Sequence, residues 1–174
     1  MAAMPSDPVA LARQHYVEEL RHVTRLRSPA VVAAFASVPR ERFLGPGPWR
    51  IRRPKAMPGY WTTDDDDPRR VHHNVLVALD EAREVNNGQP SLWAFLFEQL
   101  GIRPGERVRH LGCGTGYYIA VAAELVGPHG ALTTDSGPGA MLLITRRPRG
   151  VRGALPVHGP VHRLPRRTGQ RRQP

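Results

Sequence analysis

Residues 107–127 read RVRHLGCGTGYYIAVAAELVG. The first five of them alternate with the two-residue period of a β-strand. Single residues then separate three glycines, Gly112, Gly114 and Gly116, and a stretch rich in alanine, valine and leucine continues to Gly127. A strand, a glycine-rich turn and a helix in this order predict the first βαβ unit of a doubly wound α/β sheet.

The glycine-rich turn predicts a ligand site. Glycine tolerates strained backbone angles and lets a ligand approach the main-chain N–H groups closely. The spacing is G-x-G-x-G, whereas a dinucleotide-binding turn requires G-x-G-x-x-G, and Tyr117 stands at the last position of that pattern. The alternative is a tight strand–helix turn without a ligand. Cys113 has no identifiable partner base, so we interpret it as a small residue lining the turn rather than as a nucleophile.

Proline positions and apolar spacing predict several helices. Proline is typical of the first helical turn, and apolar residues three and four positions apart mark one buried face. These patterns predict helices near residues 8–27, 29–38, 69–84, 90–100 and 117–126, a strand near 106–111 and an irregular stretch over 39–58.

Two polar clusters raise the question of a metal site. The four aspartates at 64–67 could supply oxygen ligands to a hard cation, but Asp67 followed by Pro68 is typical of a helix start, and the alternating spacing of an EF-hand loop is absent. His72 and His73 are neighbours on a predicted helix, where their side chains point about 100° apart. We therefore predict no metal site.

The charge of the chain is unevenly distributed. Residues 1–135 hold 16 basic and 15 acidic side chains, whereas residues 136–174 hold nine arginines and no acid. The chain has no apolar run long enough to span a membrane, no secretory or transit signal and a single cysteine. These features predict a soluble, cytoplasmic protein without disulfides, in which the C-terminal stretch supplies almost all of the net charge of +10.

Composition divides the chain into three predicted segments. Residues 1–100 are expected to be mainly helical, residues 101–135 to start a Rossmann-like domain, and residues 136–174 to be a disordered tail rich in arginine, proline and glycine. We favour an out-of-frame or truncated C-terminus for the tail, because the composition changes abruptly near Thr133. A disordered tail without a partner and a basic arm that binds nucleic acid are the alternatives.

Three stretches of sequence carry a resemblance to a known family. Residues 107–127 resemble the first motif of class I S-adenosylmethionine-dependent methyltransferases. Together with VPRERFLGPG (residues 38–47) and NNGQPSLWAFLFEQLGIRPGERV (residues 86–108), they resemble the protein-L-isoaspartate O-methyltransferase family. The resemblance extends over about residues 30–132 and implies an α/β methyltransferase fold, in which this chain is the N-terminal, incomplete part.

The resemblance implies S-adenosyl-L-methionine as the cofactor and a protein or peptide carboxylate as the methyl acceptor, in a protein-repair reaction. It implies no membrane, makes nucleic acid an unlikely partner and leaves the oligomeric state and the catalytic residues unknown. An acid at the end of the second strand would hold the ribose; Asp135 is the candidate, although family spacing points to Ser136. The cofactor-binding residues that the resemblance implies are Gly112, Gly114, Thr115, Gly116, Gln89 and Asp135.

Two positions depart from the family pattern. His110 stands where the family commonly has an acid two residues before the first glycine, and Gly88 stands where it has a serine before Gln-Pro. The methyltransferase assignment is therefore stronger than the specificity for isoaspartate. We expect no appreciable methyltransferase activity from the 174-residue chain itself, because a sheet of this type needs further strands. The alternative function is a non-catalytic, basic nucleic-acid-binding protein that acts through residues 136–174.

Overall fold

The structure, a computed structural model, describes residues 7–54, 57–135 and 143–147, and only the backbone of residues 135 and 143–147. Its helices confirm the predictions near residues 8–27, 29–38, 90–100 and 117–126. These helices are α1 (Pro8–Thr24), α2 (Pro29–Ser37), α3 (Pro90–Leu100) and α4 (Tyr117–Val126).

The first two helices begin with the same local chemistry. At the start of α1, the Asp7 carboxylate accepts a hydrogen bond of 2.9 Å from the Val9 N–H. At the start of α2, the Ser28 hydroxyl accepts one of 3.4 Å from the Val31 N–H. A proline follows each cap, at the position where a missing N–H costs nothing. These caps explain why the sequence locates both helix starts.

A three-stranded sheet contains the predicted βαβ unit. Its strands are β5 (Arg107–Leu111), β6 (Ala131–Asp135) and β7 (Leu143–Arg147), in the order β6-β5-β7. β5 and β6 are parallel, and α4 forms the crossover between them. The predicted α/β fold class, with the first unit of a Rossmann-like sheet, is confirmed, and the described sheet is small, as expected for an incomplete fold.

The strand β7 lies within the stretch that we predicted to be a basic tail. It pairs antiparallel with β5, from Arg107 opposite Arg147 to Leu111 opposite Leu143. No strand was expected there from the sequence. Residues 136–142 and 148–174 of that stretch lie outside the described residues, so its disorder stays a prediction.

The predicted helix over residues 69–84 is wrong. A short 3₁₀ helix (Pro68–Val71) is followed by two strands, β3 (Ala78–Asp80) and β4 (Val85–Asn86), which pair antiparallel. The physical reason is the buried guanidinium of Arg40. It donates hydrogen bonds of 2.6, 2.6 and 2.7 Å to the carbonyls of residues 71, 73 and 75. An α-helix over this stretch would need those carbonyls for its own backbone hydrogen bonds.

Short strands also interrupt the remainder of the segment that we predicted to be mainly helical. β1 (Arg50–Arg52) and β2 (Tyr60–Thr62) form an antiparallel pair, and a 3₁₀ helix (Arg40–Phe43) precedes them. β1 begins within the stretch predicted to be irregular. Residues 1–100 thus contribute three α-helices and two small hairpins among their described parts.

The main hydrophobic core joins the N-terminal helices to the first parallel strand. Tyr16 of α1, Phe35 of α2, Phe97 of α3 and Tyr117 of α4 are all nearly inaccessible, and Val108 of β5 packs into the same cluster. A second, smaller cluster lies under β1 and the loops around it. The core therefore extends across the boundary that we predicted at residue 100, which itself stays a prediction. The helices α3 and α4 reach the carboxyl end of β5 from this core.

Candidate functional site

The glycine-rich turn adopts a backbone that favours glycine at each of its three glycines. The φ angles are +70° at Gly112, +55° at Gly114 and +95° at Gly116, all in the left-handed region. The Gly116 N–H donates to the Cys113 carbonyl at 2.9 Å, which closes the turn one residue before α4 begins. The chain turns here through backbone angles that residues with a Cβ adopt only under strain. This explains why three alternating glycines stand at these positions.

A pocket of about 210 Å³ lies beside this turn, at the carboxyl end of β5. It brings together four of the predicted site residues: Gln89, Gly112, Gly114 and Thr115. Gly116 lies immediately behind them as the residue that precedes α4. The other lining residues are Asn86, Asn87, Gly88, Leu92, Trp93, His110, Cys113, Tyr117 and Tyr118.

Gln89 is held in the wall of the pocket by Asn74. Its side-chain amide nitrogen donates to the Asn74 carbonyl at 2.9 Å and to the Asn74 Oδ1 at 2.7 Å. The same Oδ1 accepts the Ser91 N–H at the start of α3 at 2.9 Å. Gln89 therefore lines the pocket, with its side-chain N–H donors bonded to Asn74. Its ligand role stays a prediction.

Asp135 is the last residue of β6, and its backbone pairs with Leu111, the last residue of β5. Both strands are parallel, so this pairing locates the Asp135 backbone at the sheet edge where Gly112 begins the turn. Ser136, the position that family spacing favours, lies outside the described residues. The cofactor role of Asp135 remains a prediction.

His110 is a buried, uncharged side chain in the wall of the pocket. Only 2% of its surface is exposed, and burial lowers its pKa from the ordinary 6.5 to about 4. Its ring meets the Trp93 ring edge to face at a centroid distance of 4.6 Å. Its Nε2 atom has no hydrogen-bond partner among the described residues. At neutral pH this position therefore supplies a hydrogen-bonding nitrogen rather than a carboxylate.

The Trp93 indole fills the space where a side chain at position 88 would lie. Gly88 has φ +81°, and a Cβ built on it would lie 2.7 Å from Trp93 Nε1 and 3.3 Å from the Tyr118 ring. The Trp93 and Tyr118 rings stack at 4.4 Å with an interplanar angle of 11°, and the Tyr118 hydroxyl donates to the Gly88 carbonyl at 2.9 Å. The residue before Gln-Pro thus has no room for a side chain, because the indole fills that room.

Sequence reasoning missed several residues that line the pocket. We interpreted residues 86–88 as a simple turn and Trp93 as core packing, yet Asn86, Asn87 and Trp93 all face the cavity. The signal available in the sequence was the run Asn-Asn-Gly directly before the Gln-Pro helix, which concentrates amide groups at a helix start. Cys113 is a free, partly exposed thiol in the turn, as interpreted.

The other polar clusters have structural partners. The Asp67 carboxylate caps the 3₁₀ helix that follows it, accepting the Arg69 N–H at 2.9 Å, and Asp65 pairs with Arg70 at 2.9 Å. His72 is buried with its Nε2 3.1 Å from a Glu41 carboxylate oxygen. No cluster of three or more potential metal ligands is present in the part of the chain that the structure describes. None of its described helices is long and apolar enough to cross a membrane.

Comparison with known proteins gives one consistent result. The family model for protein-L-isoaspartate(D-aspartate) O-methyltransferase matches residues 65–138, which include the Gln-Pro helix and the glycine-rich turn. Over this stretch the chain is similar to that family. A solved structure of a protein-L-isoaspartate O-methyltransferase superposes with a TM-score of 0.50 and 26% identity, and the match covers 70% of this chain and 33% of that one.

Individual members of the protein-L-isoaspartate O-methyltransferase family show what share of their length this chain matches. Among enzymes of that name, it is 34% identical to one from Anaeromyxobacter sp. over 66% of this chain and 39% of the relative. It is 29% identical to one from Methanothermobacter thermautotrophicus, over 70% of this chain and 46% of the relative. It is 28% identical to one from Aeropyrum pernix, over 91% of this chain and 58% of the relative. The chain thus spans roughly half the length of these relatives.

The match to the Aeropyrum pernix member reaches further than the others. It covers 91% of this chain, which is more than residues 1–135 alone can supply, so it extends into the arginine-rich stretch. Nothing in these comparisons supports the nucleic-acid-binding alternative for that stretch. Relative to the family pattern, the pocket differs at His110 and Gly88, and the structure brings both residues into contact with Trp93.

Proposed function

We propose that this chain forms the S-adenosyl-L-methionine-binding part of a methyltransferase that acts on carboxylates of damaged protein chains. The observation that carries the proposal is the turn from β5 to α4. Three glycines at positive φ lie at the carboxyl edge of two parallel strands, beside a pocket that the turn itself lines. In open α/β sheets, ligands bind in the crevice at this edge.

The residues present fit a cofactor of this kind. Gly112, Gly114 and Thr115 line the cavity without bulky side chains, and a Cβ at Gly114 would come within 3.4 Å of the Leu79 side chain. We assign the cofactor to the turn Gly112–Gly116, with Gln89 at its mouth and Asp135 at the end of the neighbouring strand. When bound, S-adenosyl-L-methionine supplies an electrophilic methyl group.

The chain itself would contribute the orientation of the two reactants rather than acid–base chemistry. An ionised carboxylate is already a nucleophile at neutral pH, so transfer of a methyl group to it needs no general base. The first turn of a helix has backbone N–H groups without intrahelical partners, and α4 begins directly after Gly116, so this position favours negative or polar ligand groups. Trp93 and Tyr118 exclude water from one wall through their stacked rings. Correct orientation of two reactants can account for several orders of magnitude in rate.

The acceptor that we propose is a carboxylate of a protein or peptide. The names of the relatives point to isoaspartyl residues. The altered positions Gly88 and His110 both line the pocket in which we place the reaction. A cytoplasmic location is part of the same proposal. It rests on the single, free Cys113 and on the intracellular supply of the cofactor.

The direct test is isothermal titration calorimetry of the 174-residue chain with S-adenosylmethionine and with S-adenosylhomocysteine, its demethylated product. We expect saturable binding of both with one site per chain. NAD is the matched comparison, because it shares the adenosine group but requires the glycine spacing that Tyr117 interrupts. Binding of NAD without either sulfur compound, or binding of none of the three, would contradict the proposal.

A further inference from the structure

Cys113 is the only cysteine of the chain, and it lies in the glycine-rich turn that lines the pocket. Its thiol is free and partly exposed, and the glycines on either side, Gly112 and Gly114, are exposed. The hydrogen bond that the structure describes for its Sγ atom goes to the Gly114 carbonyl at 3.8 Å, and a thiol is a weak donor. A reagent can therefore reach this thiol while the chain stays folded.

The turn fixes the position of the thiol beside the pocket. The Cys113 carbonyl accepts the Gly116 N–H at 2.9 Å, and φ is +70° at Gly112 and +55° at Gly114. The backbone on both sides of Cys113 is thus held in conformations that glycine adopts without strain and other residues rarely adopt. A group attached to Sγ would remain at the pocket wall, because the turn that carries it is held in place.

Two buried nitrogen atoms indicate, independently of the thiol, that the pocket accepts a polar molecule. His110 is 2% exposed, Asn87 is 9% exposed, and both line the same pocket as Cys113. His110 Nε2 and Asn87 Nδ2 have no hydrogen-bond partner among the described residues. Buried polar atoms without partners are rare, because each one loses its hydrogen bond to water. A polar molecule in the pocket would supply the missing partners.

The pocket has room for one such molecule at a time. Its volume is about 210 Å³, below the roughly 300 Å³ at the lower end of pockets that enclose a small molecule. None of the described lining residues is an aspartate, glutamate, lysine or arginine, so a charged reagent meets no like charge there. A group bound covalently to Cys113 would therefore fill the space that we assign to the cofactor.

We propose that Cys113 is a site of reversible thiol modification, at which a mixed disulfide with a small thiol such as glutathione occupies the pocket and excludes the cofactor. The reaction is thiol–disulfide exchange. The Cys113 thiolate attacks one sulfur of glutathione disulfide, a new S–S bond forms to that sulfur, and the original S–S bond breaks. The second glutathione leaves as a thiolate and takes up the proton that Cys113 has lost. Cys113 is thereby oxidised, and the released glutathione is reduced.

The modification would be reversed only from outside the chain. Because the chain has no second cysteine, it cannot exchange the mixed disulfide for an internal one, and an external thiol must remove the adduct. The exclusion of the cofactor rests on the proposed function, whereas the modification and its location in the pocket do not. The two are therefore measured separately.

The first measurement incubates the folded 174-residue chain with glutathione disulfide at neutral pH and follows its mass and its ¹H–¹⁵N NMR spectrum. We expect one glutathione per chain, on Cys113, and a shift of the Trp93 indole N–H signal, which Trp93→Phe assigns by its loss. Trp49 and Trp61 do not line the pocket, so their indole signals serve as references. If Cys113 reacts only after unfolding in urea, or if the adduct leaves the Trp93 signal in place, the inference is overturned.

The second measurement is calorimetry with S-adenosylhomocysteine before and after modification. We expect the modified chain to lose binding and dithiothreitol to restore it. Conversely, S-adenosylhomocysteine at ten times its Kd should slow the modification about tenfold, because only the unoccupied chain reacts. Retained affinity in the modified chain would overturn the inference. If the unmodified chain does not bind S-adenosylhomocysteine, while the adduct forms and shifts the Trp93 signal, the proposed function fails and the modification site in the pocket is supported.

The matched control moves the thiol to an exposed position outside the pocket. Val23, on α1, is 55% exposed and is not a lining residue. Cys113→Ser combined with Val23→Cys should react with glutathione disulfide and yet show the same affinity for S-adenosylhomocysteine before and after the reaction. The rate of its modification should not depend on S-adenosylhomocysteine. Loss of affinity on modification of this variant as well would mean that the adduct acts on the fold rather than in the pocket, and would overturn the assignment.

Discussion

Gly114 is the single residue whose replacement tests the ligand site most directly. Its φ of +55° is unfavourable for a branched side chain, and a Cβ there would already lie 3.4 Å from the Leu79 side chain. We expect Gly114→Val to abolish binding of S-adenosylhomocysteine in calorimetry. Gly59→Val is the control, because Gly59 has a φ of +83° with nothing near its Cβ position and lies outside the pocket. Retained affinity in Gly114→Val, or equal loss in both, would mean that the turn is only structural.

His72 and His110 predict how stability changes with pH. Burial, the largest cause for each, lowers both pKa values to about 4, below the ordinary 6.5 of the unfolded chain. The unfolded chain therefore binds more protons between these values, so stability is present above pH 6.5 and is lost as pH falls toward 4.

We expect the urea midpoint to decrease over that pH range. Over the same range, His110→Phe should reduce the loss in free energy of unfolding by on the order of 1 kcal/mol. It removes one of the two titrating groups and keeps a ring against Trp93. His22→Phe, at an exposed position of α1, is the control and should leave the slope unchanged. An unchanged slope in His110→Phe would show that this side chain does not titrate with folding.

At the scale of elements, the sequence predicts what local signals encode and misses what a distant side chain imposes. The starts of α1 and α2 follow from a capping side chain before a proline, and β5 followed by the glycine turn and α4 follows from spacing alone. The false helix over residues 69–84 has apolar spacing of the right period. It fails because Arg40, about thirty residues earlier, binds the backbone carbonyls of that stretch.

The same contrast holds for the candidate site. The glycine turn is visible in the sequence because residues close in sequence form it, whereas Gln89 is predicted only through the family resemblance. The contact between Gly88, Trp93 and His110 is not visible, since it depends on how α3 packs against the end of β5. A departure from a family pattern at position 88 becomes interpretable only when the indole that fills the space is known.

Arg40 gives a prediction for the segment that it organises. Its side chain is fully buried, and its three short hydrogen bonds hold residues 71–75, including the Asn74 that positions Gln89. We expect Arg40→Met to lower the free energy of unfolding by about 3 kcal/mol or more, because buried carbonyls lose a charged donor. Arg42→Met, at an exposed position two residues away, should change it by less than about 0.5 kcal/mol. Urea unfolding followed by tryptophan fluorescence measures both. A similar small effect in the two variants would contradict this account of the segment.

At the scale of the whole molecule, the described sheet leaves the pocket open on one side. Methyltransferase sheets of this kind bury both faces and bind their ligands between loops from several strands. Here the described sheet has three strands, and β7 pairs antiparallel on the free edge of β5. The cavity measures about 210 Å³, below the roughly 300–1,000 Å³ typical of pockets that enclose a small molecule. If part of a cofactor binds there, as we propose, the described residues offer the acceptor a single wall.

We therefore expect the 174-residue chain to bind S-adenosylhomocysteine and yet to transfer almost no methyl groups. Without a second wall, the two reactants are not held in the in-line orientation that provides most of the acceleration in a reaction needing no acid or base. The measurement is incorporation of tritiated methyl groups into an isoaspartyl peptide. The positive control is the Methanothermobacter thermautotrophicus relative, of whose length this chain spans 46%. The rate should be lower than that of the control by a factor of about 100 or more. Turnover comparable to the control would show that three strands suffice to orient the acceptor.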